Sequence, residues 1–323
     1  MTNKEIYQKT LVFSLKRVVF EILGIVLFIG ACFLGFFVFD ATLELGILGL
    51  LIGVVVGIII LAIISHFVSY SLKAGQIAMM TKAITEGQLS ENVYEEGKAI
   101  VKRRFTTVAA FYAVTRIIKG IFNQLGKGIT AIGNAIGGDS GNAIGSAISA
   151  AIQILVGYLC DCCLGWVFYR EEQGSVRATC EGAVLFFKHG KTLLKNVGRI
   201  FGMGLLSFLA ICGVFTGIFF GIGMLIPAVF QGLAKEVAEA AARMDANVPE
   251  VLSDPTMLTL ICAFVIGFIF WSVIHSVFVR PFILTGVLRN YIESGMNDIP
   301  SEASFAELDK VSPKFAKLRK EIA

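Results

Sequence analysis

The sequence predicts an all-α polytopic helical membrane protein, with about six transmembrane helices and further amphipathic helices on the cytoplasmic side. Three observations carry that prediction. Hydrophobic residues make up 56% of the 323-residue chain and charged residues only 16%, against about 25% charged in an ordinary soluble domain. Uninterrupted apolar runs of bilayer-crossing length recur along the chain. The 28 lysines and arginines cluster between those runs, as the loops of a multi-pass protein require.

The elements follow in order. Lys4, Lys9, Lys16 and Arg17 precede a first span over 18–39, and cations there keep that end in the cytoplasm. This run is longer than a signal-peptide core and lacks a small-residue cleavage site, so it reads as retained. Glu21 lies one turn after Arg17 and pairs with it by spacing. A short turn leads to a second span, 45–72, and the two make an antiparallel hairpin. Residues 73–104 are polar and basic, break at Gly87 and end in Lys102-Arg103-Arg104. They read as a cytoplasmic helical segment lying against the membrane.

A central stretch, 105–135 and 142–169, comes next. Gly133, Gly137, Gly141 and Gly145 recur at every fourth position, Arg116 and Lys119 lie before them and Asp161 after. Residues 170–199 hold apolar groups bracketed by lysines, the pattern of an interfacial amphipathic helix. A span over 200–230 carries six glycines from Gly202 to Gly223 that suit close helix contact. An acidic outer loop, 231–256, a last span, 257–288, containing His275 and Arg280-Pro281, and a basic tail, 289–323, complete the chain. In the tail, Ser304 to Glu307 has the form of a capping box. The whole reads as one integral membrane domain, 1–323.

Placing the basic segments inside puts both termini in the cytoplasm of a plasma or bacterial inner membrane. The stretch between Arg104 and Arg170 must then cross an even number of times, which gives six spans. Reflecting one arm of this hairpin onto the other about Asp139 brings Asp161 level with position 117, between Arg116 and Lys119. Ionisable groups at membrane depth are paired or functional, so Arg116, Lys119, Asp161 and Arg280 are the candidates for a polar pathway or gate. The carboxylate partner of Arg280 stays open between Asp161 and Glu21. Thr106, Asn123, Gln124 and Lys127 also fit a second arrangement, in which 105–135 lies on the membrane and five spans remain. The glycine run has two readings as well, a helix-packing stripe that supports homo-oligomers or a turn at Gly137 to Gly141.

Seven cysteines are scattered and odd in number, so they read as buried hydrophobes rather than a disulfide framework. Cys160-Asp161-Cys162-Cys163 lacks a histidine or a second cysteine pair at ligand spacing, and no metal or other cofactor is expected. His66 and His275 read as structural and His189 as solvated. A net charge of +4 gives no case for nucleic acid. Phosphate-binding loops, nucleophile elbows and zinc-protease helices are missing from the sequence, so no enzyme is expected.

From Lys73 onward the sequence resembles a family of uncharacterised bacterial multi-pass membrane proteins. The resemblance lies in Lys73-Ala74-Gly75-Gln76-Ile77-Ala78, Lys102-Arg103-Arg104-Phe105 and Ile117-Ile118-Lys119-Gly120. It continues in Glu181-Gly182-Ala183-Val184-Leu185, in Lys191 to Asn196 and in Ser312-Pro313-Lys314-Phe315. It implies a membrane protein and no activity. A weaker similarity, to the choline transporter-like family, rests on a cysteine-bearing span before a basic stretch and on Asn297-Asp298 near the end of the last span. Two functions are therefore expected: a transporter or channel for a small solute or ion through the central hairpin, or a non-transport scaffold. In the second, glycine faces self-assemble and basic segments hold anionic lipid headgroups.

Overall fold

A computed structural model describes residues 1–43, 45–105, 113, 115–120, 141–194, 197–243 and 254–320, and every element among them is helical. In chain order these are α1 (Asn3–Leu43), α2 (Gly46–Glu86), α3 (Val93–Arg104), α4 (Gly141–Tyr169), α5 (Ser175–Leu194) and α6 (Val197–Ser207). A π turn, Phe208–Cys212, leads into α7 (Gly213–Leu225), followed by α8 (Pro227–Arg243) and α9 (Pro255–Ile274). A second π turn, His275–Val279, leads into α10 (Arg280–Asn297), and α11 (Glu302–Val311) and α12 (Pro313–Lys320) close the chain. Three stretches are long and apolar enough to cross a membrane: Asn3–Thr42, Gly198–Leu225 and Pro255–Asn297. Shorter apolar helices cover Leu48–Ile64 and Gln153–Tyr169.

Helix ends follow local chemistry. No breaker interrupts the run from Gly46, so α2 continues to Glu86 and stops at Gly87, whose φ of 74° suits a residue without Cβ. Residue 73 is therefore inside a long helix, and the basic segment expected from that point is in its first part a continuation of α2. The expected 200–230 span ends earlier, at Leu225, because Pro227 has no N–H to continue the ladder and instead occupies the first position of α8. Asp254 caps α9, its carboxylate accepting from the Thr256 and Met257 amides at 2.7 and 3.4 Å. Pro281 falls just after the second π turn, where the missing amide is accommodated by a widened turn. The tail helix α11 starts at Glu302 with Ser301 as N-cap, so Ser304 to Glu307 lie within the helix and are not its capping box.

The chain packs as two compact units. Unit one comprises Met1–Leu15, Ser69–Phe201 and Pro281–Ala323; unit two comprises Lys16–Val68 and Gly202–Arg280. In unit two, α1 and α2 approach backbone to backbone. A Cβ on Gly53 would lie 2.8 Å from the Cys32 Cα, one on Gly57 2.6 Å from the Phe28 ring and one on Gly24 2.8 Å from Leu61, while Gly35 and Gly49 face each other's carbonyl oxygens. The paired numbers rise on α1 as they fall on α2, which makes the helices antiparallel. Phe215 of α7 stacks on Phe270 of α9 at 4.4 Å, and Phe208 of the first π turn meets Trp271 of α9 edge-on at 5.1 Å. The outward faces expose large apolar side chains, among them Phe33, Leu34, Ile58, Leu206, Leu225 and Phe264.

Unit one is closed around helices buried on all sides. Tyr158 to Phe168 of α4 and Ile283 to Leu288 of α10 are all buried, as helices apolar all round must be. Phe13 of α1 sits against Gly75 and Gly97, where a Cβ would come within 2.6 Å of its ring. In the 73–104 segment, expected to lie against the membrane, Ala74, Ile77, Met79, Met80, Ile100 and Val101 are core residues. Part of the apolar side of α5 is likewise covered by protein: Cys180, Ala183 and Val184 pack with Phe305, Leu308 and Phe315 of the tail helices, while Phe187 stays 40% exposed. An amphipathic stripe needs an apolar neighbour, and for both segments that neighbour comes from the chain itself.

Candidate functional site

The buried polar groups of unit one define its candidate site. Asp161 is 4% exposed in the all-round buried part of α4. The Lys73 ammonium of α2 reaches its Oδ1 at 2.6 Å, a charge-assisted contact that compensates the desolvated carboxylate. Arg116 and Lys119 are exposed on residues 115–120 and have no ion-pair partner among the described residues. The cation on Asp161 is thus one other than the two set level with it by reflecting the hairpin, most of whose first arm lies outside the described residues. Lys73 was missed because the second helix was taken to end just before it.

A second buried acid, Glu181 on α5, accepts from Trp166 Nε1 at 3.2 Å and lies 3.3 Å from Arg170 Nε. Arg170 also pairs with Glu172 at 2.9 Å. Arg104, at the end of α3, closes the α4–α5 turn by donating to the carbonyls of Gln173 at 2.6 Å and Arg170 at 3.1 Å. These carbonyls lie at and beyond a helix end, where that of Arg170 accepts only a turn bond from the Gln173 amide at 3.2 Å, so a cation there complements them and the helix dipole together. Arg103 pairs with Glu171 at 2.6 Å. The cations read from sequence only as topology signals are thus structural braces. Tyr291 donates its hydroxyl proton to the Gly182 carbonyl, and position 182 admits no side chain, since a Cβ there would lie 2.6 Å from Cys163 Sγ.

Unit two holds a smaller polar cluster. Arg17 pairs with Glu21 at 3.4 Å, as the spacing predicts. It also donates to the Ser276 carbonyl at 3.3 Å and approaches the Ser276 hydroxyl at 3.4 Å. Ser276 lies in the second π turn, where the altered ladder leaves carbonyls available. Trp271 donates to Ser207 Oγ at 3.3 Å and packs against His275 at 5.3 Å. Arg280 is the first residue after this turn.

Among the described residues, no group of three or more His, Cys, Asp or Glu side chains could hold a metal ion. All seven cysteines are free, and burial pushes the Cys180 thiol up to about 12. Gly133 and Gly137 lie outside the described residues, and Gly141 and Gly145 fall in the first two turns of α4. On the expected 200–230 span, Gly202, Gly204, Gly213, Gly217 and Gly221 have open space around them, and only Gly223 packs closely, against Thr259 and Phe230. The close glycine contact is on α2 instead, at Gly46, Gly49, Gly53 and Gly57. Their spacing of three, four and four residues was the signal for it. No protein-family model, curated protein or solved structure matches this chain.

Proposed function

We propose that this is a multi-pass membrane protein that acts as a helical scaffold, with its polar side chains used to join helices rather than to line a conduit. The observation that carries this reading is Asp161: the intramembrane candidate acid is buried and held by Lys73 at 2.6 Å. A pathway residue would face water. Glu181 follows the same pattern, with Arg170 and Trp166 as its partners. The six-span topology with both termini cytoplasmic belongs to this proposal, as does kinship with the uncharacterised multi-pass family. In its support, Lys4 and Lys9, the segments 73–104 and 170–199 and the C-terminal tail all belong to unit one, and the rule of inside cations gives them one side. Reconstitution into liposomes with a panel of ions and amines tests the scaffold reading. No flux is expected for any solute, and a saturable flux abolished by Asp161→Asn in folded protein would overturn it.

A transport reading is favoured by one feature, the two π turns with Arg17, Glu21, Ser207 and Ser276 around them. Such turns recur at functional sites and give a helix two hydrogen-bonding registers. If the protein conducts, Ser276→Ala should alter the flux while Lys73→Met should not.

A further inference from the structure

We infer that Arg199 binds the phosphate of a lipid headgroup where the apolar stretch Gly198–Leu225 begins. Its guanidinium carbon lies 5.5 Å over the Phe282 ring, and Phe282 meets Tyr7 edge-on at 5.3 Å. Gly286, one turn beyond Phe282, lies beneath the same group, since a Cβ there would come within 3.0 Å of the Arg199 guanidinium carbon. The guanidinium therefore lies against an aromatic ring and a bare stretch of the same helix.

What it lacks is an acceptor. In the same unit Arg103, Arg104, Arg170, Arg289 and Arg319 each have a carboxylate or carbonyl. Among the described residues Arg199 has neither, although it is half-buried. A guanidinium offers its N–H groups as a planar fork that matches two phosphate oxygens. Lys4, three residues before Tyr7 on α1, is exposed and has no acceptor among the described residues, so a second cation stands on the Tyr7 side of the helix. Arg199 is the second residue of a membrane-length stretch, and a cation at the end of a span stands at headgroup depth. Phosphate is the required chemistry, and that depth assigns it to a phospholipid rather than to a soluble anion.

The inference rests on Gly198–Leu225 entering a membrane, but not on the choice between scaffold and conduit. Native mass spectrometry of the detergent-purified full chain would test it, with phosphatidylglycerol, diacylglycerol and inorganic phosphate as probes. Retention of phosphatidylglycerol should fall about tenfold in Arg199→Gln and less in Arg199→Lys, which keeps the charge but loses the fork. Diacylglycerol retention should not change. Unaltered phosphatidylglycerol binding in Arg199→Gln would overturn the site, and so would equal affinity for inorganic phosphate alone. Thermal unfolding shows that each variant is folded, and Arg199→Lys carries the test if Arg199→Gln is not. Vesicle flotation of the unmodified protein separates the two failures: no flotation sinks the membrane reading, whereas flotation with lipid binding indifferent to Arg199 sinks only this site.

Discussion

Removing the Lys73 ammonium would leave the Asp161 carboxylate buried without its cation, a situation that costs about 3 to 5 kcal/mol at fully buried pairs. The Lys73 side chain is 32% exposed, so solvent screening lowers the expected loss to about 2 kcal/mol for Lys73→Met or Asp161→Asn. The double variant Lys73→Met with Asp161→Leu should recover most of it, because an apolar pair needs no compensation. Thermal unfolding in detergent measures all three, and single variants as stable as the parent would show the pair to be idle. Asp161 was legible in the sequence because an acid within an apolar run stands out. Its partner was not, because no local periodicity links residue 73 to residue 161.

Among the elements, α1 and α2 depend on bare backbone at their crossing. Gly49→Leu or Gly53→Leu would force the helices apart and should cost at least about 2 kcal/mol. Gly213→Leu and Gly217→Leu face open space and should be neutral or slightly stabilising, since leucine is the better helix former. Comparison of the four melting temperatures decides whether the hairpin is built on this contact. The α2–α3 pair carries a pH signature through Lys82 and Glu96. The hydrogen bond from Lys82 lowers the Glu96 pKa below its ordinary 4.5, and the one to Glu96 raises Lys82 above 10.5. The acid's contribution is therefore present above pH 4.5 and lost as pH falls through its lowered value. The lysine's is present below 10.5 and lost as pH rises through its raised value. In Glu96→Gln the acid-side loss of stability should shrink in a pH series of unfolding curves, and an unchanged acid limb would refute the link. Helix identity was readable from composition and breakers such as Gly87 and Pro227. Which glycines touch was not, because a stripe in sequence does not say whether another helix faces it.

At the scale of the molecule, the proposed six-span topology makes a definite labelling pattern. Cysteine placed by Arg177→Cys should react with an impermeant maleimide only once the membrane is opened, and Gly232→Cys should react from outside. Labelling of the first in sealed cells would overturn the topology. The sequence by itself determined that the chain is helical and rich in membrane-length apolar runs, because backbone hydrogen bonding in an apolar solvent leaves few alternatives and hydropathy is a local property. It also marked where cations gather. Only the tertiary structure decided what covers each amphipathic face. The stripes on α2 and α5 suit lipid and protein equally well in sequence, and it took Phe13, Phe305, Leu308 and Phe315, residues distant in the chain, to make them core. The partner of Asp161 was settled in the same way, because which charges meet depends on how helices far apart in sequence pack together.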